Sequence, residues 1–96
     1  MTTLLGAPAS SERLPSVNEE QILLKLTSIL RDLLGDDSIV LRADTRRSDV
    51  PNWDSFMYVN FIVAAEMELG IRFGVADVES FDTVGEIAKK ALDLLA

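Results

Sequence analysis

Between Asp54 and Leu69 the chain carries apolar side chains on two sides of any helix it could form. At 100° per residue, Tyr58, Phe61, Ile62, Ala65 and Leu69 share one face, and Phe56, Val59, Val63 and Met67 form a second stripe roughly opposite. Only one stripe can face the core of a small bundle. The other must be covered by a further layer or left for a partner, because exposed apolar patches mark binding surfaces. Gly70 supplies the stop.

The entry to this helix is Asn52-Trp53-Asp54-Ser55-Phe56. The Asp54 carboxylate can accept an unpaired N–H of the first turn, which makes Asp54 the N-cap. Ser55 is then the first helical residue, between the two stripes, at a positive helix end that favours an attached anion. A serine so placed is suited to carry a phosphodiester. Taken alone, Asp-Ser reads as an ordinary cap dipeptide with no chemistry.

A chain of 96 residues makes one small domain with a compact core. Cysteine and histidine are both absent, which excludes disulfides, thiolate metal sites and most nucleophile–base pairs. A self-contained enzyme is not expected, since no pair of carboxylates is spaced for a cleft. The net charge of −7 argues against nucleic acid. Nine acids against three bases in residues 49–96 suit basic partners, although acidity for solubility explains them as well. No apolar run approaches the ~20 residues of a membrane span. With no export signal at the start, the expected location is the cytoplasm.

Residues 1–15 lack periodicity and are read as a flexible tail, with the folded domain at 16–96. Ser16 and Glu19 have capping-box spacing, predicting a first helix that runs to Leu34 and stops at Gly35. Its core face is Ile22, Leu23, Leu26, Ile29, Leu30, Leu33 and Leu34. Residues 36–52 form a long connection in which Ile39, Val40 and Leu41 should tuck inward, with a short strand as an option. Arg42, Arg46 and Arg47 are a solvated cluster or a partner contact. Pro51 disfavours helix at Val50, so the chain should stay extended to Asn52. A short helix is expected near Ala76–Ser80, then a last helix capped by Asp82 or Thr83 with a Glu86–Lys90 pair. Val84, Ile87, Ala88, Ala91, Leu94 and Leu95 form its core face, and Gly85, Glu86, Lys89, Lys90 and Asp93 its outer one. The fold class is all-α: a small four-helix bundle of three main helices and a short third, with a long loop between helices 1 and 2.

This order of elements, with Trp53-Asp54-Ser55-Phe56 at its centre, resembles an acyl carrier protein from about Asn18 to Leu95. Phe56 stands where the family's Asp-Ser-Leu attachment motif has leucine. Glu66-Met67-Glu68-Leu69-Gly70 and Phe81-Asp82-Thr83-Val84 support the resemblance. It implies that a phosphopantetheinyl transferase esterifies Ser55 with 4′-phosphopantetheine from coenzyme A. The thiol of that arm would hold an acyl group as a thioester, which gives a chain without cysteine its sulfur. By the same resemblance Asp54 helps position the transferase's metal ion. Phe56, Val59, Val63 and Met67 would meet partner enzymes, and Glu66 and Glu68 their basic residues.

The sequence also departs from the family. Fatty-acid carriers place acids early in this helix, where Met57, Tyr58, Val59 and Asn60 stand here. Trp53 replaces a small residue and is read as an anchor beneath the loop. These departures suggest a specialised, discrete, monomeric carrier of a lipid or secondary-metabolite pathway. It would serve a loading enzyme and a downstream acyltransferase or synthase. An aminoacyl carrier, of peptidyl or D-alanyl type, and an unmodified helical interaction module remain open. Small residues at Ala64, Ala65, Gly74 and Ala76 could leave interior room for an acyl chain.

Overall fold

The computed structural model describes residues 17–96, so the predicted tail and Ser16 lie outside the described residues. Four helices follow in order: α1 (Glu19–Leu34), α2 (Ser55–Leu69), α3 (Val75–Ser80) and α4 (Val84–Leu95). No strand occurs among the described residues, and none of their helices is long and apolar enough to cross a membrane. The chain is an all-helical bundle in which α1 packs against both α2 and α4.

The start of α1 differs from the predicted one by two residues. Asn18, not Ser16, is the N-cap: its Oδ1 accepts the Gln21 N–H at 2.9 Å, and the Gln21 amide accepts the Asn18 N–H at 3.3 Å. The box has the reciprocal logic expected of Ser16 and Glu19, shifted to the asparagine nearest the first turn. Gly35 ends the helix in the left-handed region at φ 64°, where only a residue without Cβ is free of penalty. Ile22, Leu26 and Leu30 are fully buried, with Leu23, Ile29, Leu33 and Leu34 packed around them.

The connection from α1 to α2 is held by hydrogen bonds rather than by a strand. Arg31 Nε donates to the Ile39 carbonyl at 2.6 Å, and the Leu41 N–H donates to Thr27 Oγ1 at 3.2 Å. Farther along, the Thr45 and Ala43 carbonyls accept the first two N–H groups of α4, from Val84 at 2.8 Å and Gly85 at 2.9 Å. Loop carbonyls thus satisfy donors that every helix start leaves unpaired. Ile39 and Leu41 are buried as expected, whereas Val40 points outward at 56% exposure. Successive residues of an extended segment face opposite ways, so all three could not tuck in. Nor is the approach to α2 simply extended: Arg47–Asp49 forms a single 3-10 turn, and Asn52 is left-handed at φ 69°. Asparagine tolerates that conformation better than most side chains.

In α4, Val84, Ile87, Ala88 and Ala91 are buried as predicted, but Leu94 and Leu95 are 40% exposed where the helix runs past the bundle. Gly85, assigned from the helix wheel to the outer face, is buried under the loop. A Cβ added there would lie 2.5 Å from the Ala43 carbonyl oxygen. Gly85→Ala should therefore cost about 1–3 kcal/mol, as overpacked sites do. Urea unfolding checks this, and a wild-type midpoint would show that the loop retreats freely. The predicted Glu86–Lys90 pair also does not form. Glu86 reaches back to the Asp82 N–H at 2.8 Å, and Lys90 pairs with Asp77 of α3 at 3.7 Å.

Candidate functional site

Asp54 caps α2 as the spacing predicts, its Oδ1 accepting the Met57 N–H at 2.9 Å. Ser55 is the first residue of the helix and is exposed. Among the described residues the Ser55 hydroxyl makes no hydrogen bond, and the N–H groups of Ser55 and Phe56 have no partner. The contrast with α4 is direct. There the loop consumes the first two donors, whereas here they face solvent and any anion attached beside them.

Trp53 fixes this helix start from below. It is 4% exposed, edge-on to Phe61 with ring centroids 5.1 Å apart and tilted against Tyr58 at 6.2 Å. It is the anchor beneath the loop that was anticipated. Tyr58 continues the stack outward, donating its hydroxyl to the Val78 carbonyl at 2.8 Å and so tying α2 to α3. The Arg47 guanidinium lies over the Tyr58 ring, 5.4 Å from its centroid. Sequence reasoning placed Tyr58 with the core stripe and Arg47 in a solvated loop. No spacing in the chain couples them; only the loop's path does. An open groove of about 520 Å³ beside Ser55 is lined by Arg46, Arg47, Tyr58, Val59, Val78 and Phe81, among others.

Burial holds the Tyr58 phenol above its ordinary pKa of 10.0, against a smaller opposing pull from Arg47. The folded state thus keeps the proton more tightly than the unfolded chain. Its contribution to stability is complete below the unfolded value and is lost as pH rises through the folded one. Tyr58 is the single tyrosine, so phenolate absorbance reports it alone. Titration should show a midpoint above that of the urea-unfolded chain; equal midpoints would mean that the phenol is solvated.

The two stripes of α2 separate as predicted. Phe61, Ile62 and Ala65 are buried, with Tyr58 and Leu69 packed against them. Phe56, Val59, Val63 and Met67 are 72%, 55%, 46% and 79% exposed. The two acids read as partner contacts each also make a contact inside the fold. Glu66 is half-buried and accepts the Phe73 N–H at 2.8 Å, holding the turn after α2, while Glu68 reaches Lys25 of α1 at 3.5 Å. Both side chains therefore have partners within the fold.

The small residues expected to open an interior space do not line one. Ala65 is buried in packed core, Ala64 is half-buried, and Gly74 and Ala76 are exposed. A small void beneath Trp53, Tyr58, Phe81 and Ile87 holds about 20 Å³, the scale of one water and not of an acyl chain.

No family model matches the chain. An acyl carrier protein of Thermotoga maritima is 31% identical over 70 residues, spanning 73% of this chain and 86% of the relative. The chain belongs to the acyl carrier protein family. The acyl carrier protein MbtL of Mycobacterium sp. strain MCS is 34% identical over 70 residues, spanning 73% of this chain and 79% of that one. The solution structure of holo acyl carrier protein from Geobacter metallireducens matches with a TM-score of 0.72 at 35% identity, covering 77% of this chain and 85% of that one. An acyl carrier protein bears cargo and does not transform it. Unlike an acyl carrier protein whose second helix begins with acids, this one presents Met57, Tyr58, Val59 and Asn60 there.

Proposed function

We propose that Ser55 is the attachment point for 4′-phosphopantetheine and that the protein carries an acyl group on that arm. The observation behind this reading is the exposed Ser55 hydroxyl on the first turn of α2, without a hydrogen bond among the described residues, in a chain of the acyl carrier family. The surroundings fit the group. Two N–H groups unpaired among the described residues stand beside the hydroxyl, Asp54 holds the turn through one carboxylate oxygen, and two arginines line the adjacent groove. When bound, the group supplies a thiol on a long arm, which raises the cargo's effective concentration at each partner's active site.

A phosphopantetheinyl transferase loads the chain in this reading, and acyl-handling enzymes of a specialised pathway grip Phe56, Val59, Val63 and Met67. The apolar, exposed state of that stripe supports a dedicated partner. Acyl cargo is favoured over aminoacyl cargo because both relatives are acyl carrier proteins. The test is intact mass after incubation with coenzyme A and a promiscuous transferase, followed by peptide mapping. A gain of one phosphopantetheinyl group on the peptide containing Ser55 upholds the reading. Absence of any gain beside a loaded control carrier would leave the stripe as an unmodified interaction surface.

Val59→Glu and Met67→Glu should leave melting within about 0.5 kcal/mol of wild type, because both side chains are exposed. In the loaded protein either should slow acyl transfer by the partner at least tenfold, the scale of one ~1.4 kcal/mol contact. Unchanged transfer rates would remove the stripe from the partner interface.

A further inference from the structure

Resting on the attachment reading above, we propose that Arg47, with Arg46, binds the phosphodiester of the arm and holds its root against the groove. Three observations converge on these side chains. Both line the groove that also contains Ser55, so an anion fixed to the Ser55 oxygen lies in the same concavity. Arg47 is positioned by the Tyr58 ring, and Tyr58 lies three residues, less than one turn, beyond Ser55. Neither arginine forms an ion pair with a carboxylate among the described residues, although this is a chain of net charge −7.

The charges around the groove decide which wall an anion would choose. Glu79 and Asp82 belong to its α3 side and repel a phosphodiester, while Arg46 and Arg47 belong to its loop side. Asp54, beside Ser55, already uses Oδ1 on the Met57 N–H. In so acidic a protein a further negative charge is unfavourable unless local cations offset it, and a guanidinium matches phosphate oxygens with two parallel donors. A contact with the Tyr58 ring uses no hydrogen-bond acceptor, so it does not compete for the guanidinium N–H donors as a carboxylate would. The arm would then leave Ser55 with a fixed direction, along the groove, rather than swinging from its first bond.

The probe is the loaded protein itself, its state verified by intact mass. In wild type, the Arg47 Nε–Hε cross-peak should shift between the unloaded and loaded forms. That shift should fade in about 1 M salt, where screening acts over about 3 Å. The phosphorus resonance of the loaded protein should move with salt in wild type and lose that dependence in the loaded Arg46→Gln/Arg47→Gln variant. A loaded protein whose Arg47 cross-peak matches the unloaded one overturns this proposal alone and leaves Ser55 as the attachment point. A wild type that takes up no phosphopantetheine overturns both.

Discussion

Ser55→Ala should take up no phosphopantetheine, while its unfolding free energy stays within about 0.5 kcal/mol of wild type. The two halves of this expectation have separate causes. Uptake requires an oxygen nucleophile at this position, and a methyl group offers none. Stability is unaffected because the hydroxyl is exposed and makes no hydrogen bond among the described residues, and the first turn is capped by Asp54 rather than by Ser55. Alanine is also the better helix former, a small gain on a solvent-facing site. Intact mass and urea unfolding on the same sample check both halves. Residual loading would place the arm on another hydroxyl, and a loss of several kcal/mol would make Ser55 a structural residue.

Trp53→Ala carries the largest expected effect on the fold. Large-to-small changes at fully packed aromatic sites cost about 3–5 kcal/mol, and a domain of this kind has only about 5–15 kcal/mol to lose. Trp53 is the underside of the site. Its ring meets Phe61 edge-on and supports Tyr58, so its removal hollows the junction of α2 with the loop. Trp53→Phe should cost much less, about 1–2 kcal/mol. It keeps an aromatic face and removes the indole Nε1–H, which is buried without a hydrogen-bond partner among the described residues. Since Trp53 is the only tryptophan, unfolding has to be followed by circular dichroism. If the alanine variant unfolds at the wild-type urea midpoint, Trp53 does not anchor the loop. If phenylalanine costs as much as alanine, the indole volume matters more than the unpaired donor.

Helix stops and stripes were legible because their causes are local. Gly35 and Gly70 end α1 and α2 in the left-handed conformation, at φ 64° and 69°, that a missing Cβ permits. The doubled stripe of α2 sorted into an inner and an outer face because a helix in a small bundle has one neighbour-facing side. Asp54 and Ser55 were placed by the distance a carboxylate reaches to the first turn. Two of the errors fall where the long loop packs or runs extended. Gly85 reads as outward on a wheel, yet Ala43 lies against it. Val40 reads as core, yet its neighbours Ile39 and Leu41 take the inward positions.

What the sequence determined by itself was the set of helices, their inner faces, the cap at Asp54 and the serine beside it, all governed by interactions within about one turn. Tertiary structure alone decided which donors stay free. The Ala43 and Thr45 carbonyls occupy the start of α4, while nothing among the described residues occupies the start of α2. It also set Arg47 over Tyr58, and gave Glu66 the Phe73 N–H and Glu68 the Lys25 ammonium. The donors taken at α4 and the place of Arg47 both depend on where a 17-residue connection crosses other elements. Helical periodicity specifies the faces of a helix, but not the route of the loop that covers them.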